Sequence, residues 1–149
     1  MRIGLVGCVK NKLSTAAEAQ DLYISALFRG RRWFVENTCD QWLVLSALHK
    51  LAEPGDLLTP YDVSLVGASR SARRMWAQET LAAIDHKLGD VRSYVFEIHA
   101  GSDYRNFGLV DGLLLRGASI AVPTLGLTQG QQLSFYANAR KHGMSVQAI

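Results

Sequence analysis

The sequence contains few of the residues that mark an exported, disulfide-linked or membrane-embedded protein. Only two of its 149 residues are cysteines, Cys8 and Cys39, which predicts free thiols in a cytoplasmic protein rather than a disulfide framework. No apolar run approaches the roughly 20 residues that a membrane-spanning helix needs. The opening residues 1–7 are too short for a signal peptide and are typical of a first strand. We therefore expect a cytoplasmic protein with no membrane partner.

The sequence also lacks the short motifs that identify common enzyme classes. It has no Walker-type phosphate loop, no GxGxxG spacing after Gly4-Leu-Val-Gly7, and no CxxC, HExxH or GxSxG. Its four histidines lie in different segments, so their spacing predicts no metal site. We expect neither a metal nor a cofactor, so any catalytic chemistry has to come from side chains that the fold brings together.

Neither sign of charge is in large excess. The net charge is +3, from 16 basic and 13 acidic residues, and this mild basicity does not by itself indicate a protein that binds duplex nucleic acid. The basic residues do cluster, in residues 29–32 and again at Arg70, Arg73 and Arg74. Such clusters suit phosphate groups or nucleic acid, whereas a solvated helix face is the alternative for each cluster alone.

The periodicity of the apolar residues predicts the fold. Hydrophobic residues make up 48% of the chain and charged residues 19%, as in an ordinary globular protein, and residues 1–149 suit a single domain. Strands are predicted over 2–7, 42–46, 93–99, 119–122 and 145–149. Helices are predicted over 16–37, with Gly30 as a candidate break, from Ser69 or Ser71 to 88, over 104–116, and over 131–142 with Thr128 as the cap. This alternation predicts an α/β domain with a mostly parallel sheet of about five strands and helices on both faces, a three-layer, Rossmann-like arrangement.

One long connection, residues 51–69, interrupts this pattern. It contains Pro54 and Pro60, which are poorly compatible with regular structure. Loops of this length in small domains are usually functional or mobile. We therefore expect the connection to lack regular structure.

The strongest functional signal lies in residues 93–105. Side chains alternate across a strand, so Tyr94, Phe96 and Ile98 share one apolar face. The opposite face ends with Glu97 and His99. Ligands of open α/β sheets bind at the carboxyl ends of the strands, so this pair is predicted to be catalytic. The alternative is a satisfied internal pair, because buried polar groups require partners.

The other predicted strands also end in polar or special residues. They are Cys8 and Lys12 after the first strand, Ser46 and His49 after the second, and Pro123 and Thr124 after the fourth. If the strands are parallel, these residues converge on one edge of the sheet. Two interpretations are open for Cys8, a nucleophile or a small buried hydrophobic residue. Two are also open for His49, an acid or base of catalysis or a loop histidine without a chemical role. Lys12 suits an anionic ligand near a helix N-terminus, or it is a solvated lysine.

Several motifs together resemble those of a family of uncharacterised bacterial and phage proteins. The motifs are Cys8-Val-Lys-Asn-Lys12, Asp21-Leu-Tyr-Ile-Ser-Ala-Leu-Phe28, Leu45-Ser-Ala-Leu-His49, Pro60-Tyr-Asp62, Gly101-x-x-Tyr104-Arg105 and Pro123-x-x-Gly126-Leu127-x-x-Gly130-x-Gln-Leu133. That family is similar to the YaaA peroxide-stress proteins and to a domain of archaeosine tRNA-guanine transglycosylases. The resemblance covers most of the chain in order. One departure is Lys50, where the family has a glycine after the histidine.

The resemblance implies a pocket and a class of ligand. By position, the pocket would be lined by Cys8, Lys12, Tyr23, Ser46, His49, Gly101, Tyr104 and Arg105. Gly126 belongs to the closing motif and is added to the predicted binding residues. The relatives point to a nucleobase, a nucleoside or nucleic acid as the ligand.

Three functional hypotheses follow from these residues. The first is a nucleoside- or nucleotide-processing enzyme that acts on an N-glycosidic bond, as a hydrolase or a base-exchange transferase. Glu97 would be its nucleophile or general base, and His99 or His49 would protonate the leaving base. Lys12 and Arg105 would hold a phosphate group, and Tyr23 or Tyr61 would stack on the base.

The other two hypotheses involve no catalysis. One is a nucleic-acid-binding module, in which the arginine clusters and exposed aromatic residues bind a polymer. The other is a scaffold that binds a partner protein, with Glu97 and His99 as an internal pair. A homo-oligomer is compatible with any of the three.

Overall fold

A five-stranded, mostly parallel sheet forms the centre of the protein in a computed structural model that describes residues 1–143. In chain order the strands are β1 Arg2–Gly7, β2 Ala17–Glu18, β3 Gln41–Ser46, β4 Lys50–Ala52, β5 Leu57–Leu58, β6 Val95–His99 and β7 Ser119–Ala121. The helices are α1 Ala19–Leu22, α2 Ala26–Thr38, α3 Arg70–Leu88, α4 Ser102–Arg105, α5 Leu109–Leu115 and α6 Gln129–Lys141.

The strand order of the central sheet is β4-β3-β1-β6-β7. The strands β3, β1, β6 and β7 are parallel, and β4 pairs antiparallel with β3 at one edge. From β1 the chain moves to β3 on one side and later crosses to β6 on the other. The predicted α/β fold with a mostly parallel sheet of five strands is confirmed. The fifth strand is β4, and the strand predicted over 145–149 lies outside the described residues.

Both faces of the sheet are buried, as expected for parallel strands joined by helical crossovers. Side chains of one face, such as Leu5 and Ile98, pack with Trp76 of α3 and Leu113 of α5. On the opposite face, strand residues of β1 and β3 pack with Phe28 and Val35 of α2. The helix α6 packs beside α2 on this same face of the sheet, where Leu27, Phe34 and Tyr136 form a small core. The prediction that Phe96 and Ile98 share a face opposite Glu97 and His99 is confirmed.

Two of the predicted helices are interrupted, each for a local reason. The helix predicted over 16–37 is replaced by β2, α1 and α2, and Ser25 begins α2 by accepting a hydrogen bond from the N–H of Phe28 at 3.1 Å. Gly30 lies inside α2 and does not break it. The helix predicted over 104–116 divides into α4 and α5 at Gly108, whose φ of 127° is compatible only with glycine. The caps predicted at Ser69 and Thr128 are confirmed.

The connection 51–69 contains more regular structure than its prolines predicted. It begins with the end of β4 and includes β5, which pairs with β2 in a small antiparallel sheet. The turn before β4 places Lys50 at φ 65°, and no other non-glycine residue of the described chain has a positive φ. A glycine would adopt this left-handed conformation without the strain that a lysine incurs there.

Within residues 1–143, no helix combines the length and the apolar character that crossing a membrane requires.

The contact of α6 with α2 depends on the absence of a side chain at Gly30. A Cβ atom at this position would lie 2.7 Å from the Cβ of Tyr136, closer than real Cβ atoms approach. In contrast, a Cβ atom at Gly130 in α6 would have nothing within 4 Å of it. These two helical glycines therefore differ in packing and share the same low helix propensity.

We expect Gly30→Ala to lower the free energy of unfolding by about 1–3 kcal/mol, because α6 has to move away from α2. The matched variant Gly130→Ala should change it by less than about 1 kcal/mol, because it alters helix propensity alone. Urea denaturation followed by circular dichroism measures both values. Equal effects of the two substitutions would contradict this role of Gly30.

Candidate functional site

A cleft of about 620 Å³ opens where the carboxyl ends of β1 and β6 meet. This is the point at which the chain has left β1 on one side and returned to the sheet on the other, the usual ligand position in open α/β sheets. Its walls come from the loop after β1, from α2, from residues 62–66, and from the starts of α4 and α6. The polar residues of these walls are Cys8, Lys10, Lys12, Arg31, Asp62, Ser64, Asp103, Tyr104, Gln129 and Gln132.

The floor of the cleft is formed by close contact between the ends of β1 and β6. A Cβ atom at Gly7 would lie 2.8 Å from that of Ala100, so only glycine lets the two segments approach this closely. Directly after Gly7, the half-buried Cys8 has its Sγ 3.3 Å from the Tyr104 hydroxyl. Burial, followed by the neighbouring Cys8, raises the pKa of Tyr104, so this phenol stays protonated. The structure thus brings the predicted residues Cys8, Gly101 and Tyr104 together.

The side chains of the cleft carry more positive than negative charge. Lys10, Lys12 and Arg31 line it, and none of them forms an ion pair within the part of the chain that the structure describes. Two carboxylates face these cations. Asp103 is neutralised by Arg73, whose Nη2 lies 3.0 Å from its Oδ1, and Asp62 is exposed. This charge balance favours an anionic ligand.

A hydrogen-bonded row of hydroxyl groups lies beside the cleft, next to Lys12. The Tyr61 hydroxyl is 2.7 Å from that of Tyr23 and 2.8 Å from Ser46 Oγ, which accepts a hydrogen bond from the N–H of His49 at 2.9 Å. Lys12 Nζ lies 4.5 Å from the centre of the Tyr61 ring, within the range of a cation–π contact. Five of the predicted site residues therefore meet here, although only Lys12 among them lines the cleft.

This arrangement corrects the stacking role predicted for Tyr23. Its side chain is only 2% exposed and packs against Phe28, so no base can lie against its ring. Burial raises the pKa of Tyr23 to about 12 and that of Tyr61 still further, so both phenols are neutral hydrogen-bonding groups at physiological pH. Tyr61 contacts Ser46 and Lys12, and Tyr23 contacts Tyr61. His49 is exposed and packs edge-on against Tyr61 with ring centres 5.5 Å apart.

Two other predicted binding residues lie outside the lining of the cleft. Arg105 turns back on its own segment and donates from Nε to the carbonyl oxygen of Ala100 at 2.8 Å. Gly126 is exposed in the turn before α6, with a φ of 81°. Its glycine is explained by that left-handed turn, since nothing lies within 4 Å of its missing side chain.

Glu97 and His99 are both 0% exposed and do not line the cleft. Glu97 lies in the middle of the sheet, between Gly4 of β1 and Ala121 of β7, and its side chain points under the end of α2. There Thr38 Oγ1 donates to Glu97 Oε1 at 3.0 Å, and Arg2 Nε donates to Oε2 at 2.7 Å. The expectation that this carboxylate meets a substrate is therefore corrected, because α2 covers the strand face that carries it.

The hydrogen bonds of His99 complete this buried network. Burial lowers the pKa of His99, so its ring is neutral, and Nε2 donates to Glu97 Oε1 at 2.7 Å. Its Nδ1 accepts from the hydroxyl of Tyr136 at 2.6 Å, and burial raises the pKa of this phenol to about 12. Burial alone would raise the pKa of Glu97, but the contacts with His99 and Arg2 outweigh it and lower the pKa to about 2. The polar atoms of Glu97 and His99 therefore have their partners inside the protein. This is the arrangement expected for an internal pair, the alternative to a catalytic pair.

Arg31 is the main cleft residue that the sequence hypotheses did not single out. It belongs to the basic cluster 29–32, which resembles a solvated helix face. The sequence nevertheless distinguishes Arg31 from that cluster, because Leu27, Arg31 and Phe34 have the spacing of one helix face. A cation within that buried face is unusual and indicates a specific partner.

These features define an α/β protein with a positively charged cleft at the carboxyl edge of its sheet. The chain belongs to DUF6884, a family of unknown function, whose pattern matches residues 3–138. No curated protein matches the chain. No solved structure matches it. Membership of an uncharacterised domain family is thus confirmed, whereas the resemblance to YaaA proteins and archaeosine transglycosylases stays a prediction.

The Glu97 network makes stability depend on acid pH in a defined direction. The pKa of Glu97 falls from 4.5 to about 2 on folding, so its contribution is full above pH 4.5 and is lost as the pH falls towards 2. We expect Glu97→Gln to cost roughly 3 kcal/mol at pH 7 and to flatten the loss of stability below pH 4.5. Denaturation at a series of pH values measures this. The control is Glu79→Gln, which changes a half-exposed carboxylate. Identical dependence of stability on pH for Glu97→Gln and wild type would contradict this role of Glu97.

The two cysteines should differ in reactivity. Burial, reinforced by the nearby Glu97 carboxylate, raises the pKa of Cys39 to about 12, so very little thiolate forms at pH 8. Cys8 lines the cleft. We expect iodoacetamide to label Cys8 at least about tenfold faster than Cys39, measured by peptide mass spectrometry, with Cys8→Ser and Cys39→Ser as controls. Preferential labelling of Cys39 would contradict the placement of these thiols.

Proposed function

We propose that this protein is an enzyme that binds and processes a nucleoside or nucleotide in the cleft between the ends of β1 and β6. The observation that carries the proposal is the position of this cleft at the switch point of the sheet, together with its excess of positive charge. Its volume of about 620 Å³ is in the usual range of sites for small molecules. A mononucleotide combines an anionic group with a planar base and suits such a cleft.

The resemblance noted in the sequence supports the same class of ligand. The motifs that it rests on supply Cys8, Lys12, Asp62, Gly101 and Tyr104, and all five line the cleft. We propose that the likeness to YaaA proteins and to the transglycosylase domain reflects a shared three-layer, Rossmann-like fold and a nucleobase-containing ligand. The packing of α2 on one face of the sheet and of α3 and α5 on the other supports this arrangement.

Within this class we propose cleavage or exchange at the N-glycosidic bond. This chemistry passes through an oxocarbenium-like state and requires a carboxylate as nucleophile or as the base for water. Glu97 is buried and bonded to Arg2 and His99, so we propose that a carboxylate of the cleft is the nucleophile or general base. Asp62 is the better candidate, because Asp103 is held by Arg73. In this proposal the protonated hydroxyl of Tyr104, which lines the cleft, would donate a hydrogen bond to the leaving base.

One observation favours a second candidate, a non-catalytic nucleic-acid-binding module. Arg70 and Arg74 are exposed in the first turns of α3, where the helix dipole disfavours cations. They line a shallow depression together with Phe107. Phosphate groups of a polymer would offset the unfavourable placement of these arginines. Such binding weakens steeply as the salt concentration rises.

We expect wild-type protein to release free base from at least one member of a panel of nucleosides and nucleotides, as detected by chromatography. Asp62→Asn should reduce the rate at least about 100-fold without a change in stability, because it removes the carboxylate from the cleft. Asp90→Asn, an exposed carboxylate outside the cleft, is the matched control, and folded Glu97→Gln should retain activity.

The absence of free base from every compound, or equal rates for Asp62→Asn and wild type, would contradict this mechanism. Salt-sensitive binding of an oligonucleotide that Arg70→Gln and Arg74→Gln weaken, without any base release, would favour the second candidate instead.

A further inference from the structure

We infer that Arg31 is the phosphate-binding residue of the cleft, so that the ligand is a nucleoside phosphate rather than a free nucleoside. This inference rests on the proposed function and names the charged group of its substrate. It starts from the surroundings of a single guanidinium group on α2.

Arg31 is buried without the partners that a buried guanidinium normally has. Its side chain is 5% exposed, and no ion pair joins it to a carboxylate of residues 1–143. Its polar partners are all neutral: Nη1 donates to Gly7 O at 3.3 Å, Nη2 donates to Gln132 Oε1 at 3.4 Å, and the guanidinium also contacts the Tyr136 hydroxyl. Within the described chain its Nε donates to nothing. An arginine stays charged, and a buried, uncompensated charge is costly, so this position calls for an anion.

The cleft provides the place where that anion would bind. Arg31 is part of its lining, as are Gln129 and Gln132 from the first turn of α6. Thr128 caps the N–H of Gln131 at the start of this 13-residue helix, and the positive end of the helix dipole lies there, beside the arginine. Lys10 and Lys12 supply two further cations from the loop after β1. A guanidinium, two ammonium groups and a helix start on one cleft suit the double negative charge of a phosphate monoester.

A purely structural role for Arg31 makes a different prediction. In that case the side chain only braces Gly7 and Gln132, through the two bonds described above. Removing it would lower stability, but phosphate would affect neither the stability of the wild type nor the Arg31 Nε–H. The two roles are therefore separated by the response to added phosphate, rather than by the effect of mutation on folding.

The first test uses inorganic phosphate, adenosine and adenosine 5′-monophosphate on the wild-type chain. We expect phosphate to raise the melting temperature and to shift the NMR signal of the Arg31 Nε–H, because an anion bound beside the guanidinium changes the electric field at that group. In calorimetric titrations the monophosphate should bind at least about tenfold more tightly than adenosine, because charged hydrogen bonds are the stronger class. No stabilisation and no shift of the Nε–H signal by millimolar phosphate would overturn the inference.

The second test uses variants. Arg31→Gln should weaken binding of phosphate and of the monophosphate at least about tenfold and leave binding of adenosine unchanged. Arg29→Gln is the matched control, since it makes the same charge change at an exposed position of the same helix. Gln132→Glu places an internal carboxylate against the guanidinium and should weaken phosphate binding to a similar degree. It keeps the inference testable if Arg31→Gln does not fold.

Failure of this inference differs from failure of the proposed function. Release of base from nucleosides, with no Arg31-dependent binding of phosphate, would remove the phosphate site and leave the nucleoside-processing activity. Arg31-dependent binding of inorganic phosphate, with no binding or turnover of any nucleoside or nucleotide, would establish the anion site and remove the proposed substrate class. Equal phosphate affinities of Arg31→Gln, Arg29→Gln and wild type would overturn the assignment of Arg31.

Discussion

The close packing of Tyr136 against Gly30 is the contact on which the site depends. It seats α6 on α2, since a side chain at Gly30 would separate the two helices. Once α6 is seated, the Tyr136 hydroxyl reaches His99, which in turn holds the carboxylate of Glu97. The same seating brings Gln132 next to Arg31 and closes one wall of the cleft. A single close contact between helices therefore organises both the buried network and the cleft.

The polar residues of this protein fall into two groups with different uses. Glu97 and His99 have partners for their polar atoms within the fold, and the free energy of those bonds contributes to stability and to the fixed position of α2. Arg31 and Lys12 have no ionic partner inside the described chain, and both face the cleft. Polar groups that the fold leaves incompletely satisfied are the better indicators of a ligand, and here they indicate an anionic one.

These two groups also explain how much of the site was accessible from sequence. Parallel strands that end at a common edge predicted the position of Cys8, and the resemblance implied that Gly101 and Tyr104 line the same pocket. The structure places the three residues together. The catalytic role expected for Glu97 rested on the same reasoning but omitted what covers that strand face. The helix α2 ends above Glu97, with Thr38 bonded to its carboxylate, and thereby removes it from solvent. Strand position is visible in sequence, whereas the layer above a strand is not.

The sequence by itself determined the features that depend on neighbours along the chain. The alternation of strands and helices, the caps at Ser69 and Thr128, and the apolar face of β6 are set by short periodicities and by hydrogen bonds three residues apart. Tertiary structure alone decided the partners of Glu97 and Arg31. Arg2 meets Glu97 across 95 positions and Gln132 meets Arg31 across 101, because the packing of α2 and α6 over the sheet joins distant segments. The burial of a charge without a matching charge arises only in tertiary structure, and it distinguishes Arg31 from the exposed Arg29 of the same helix.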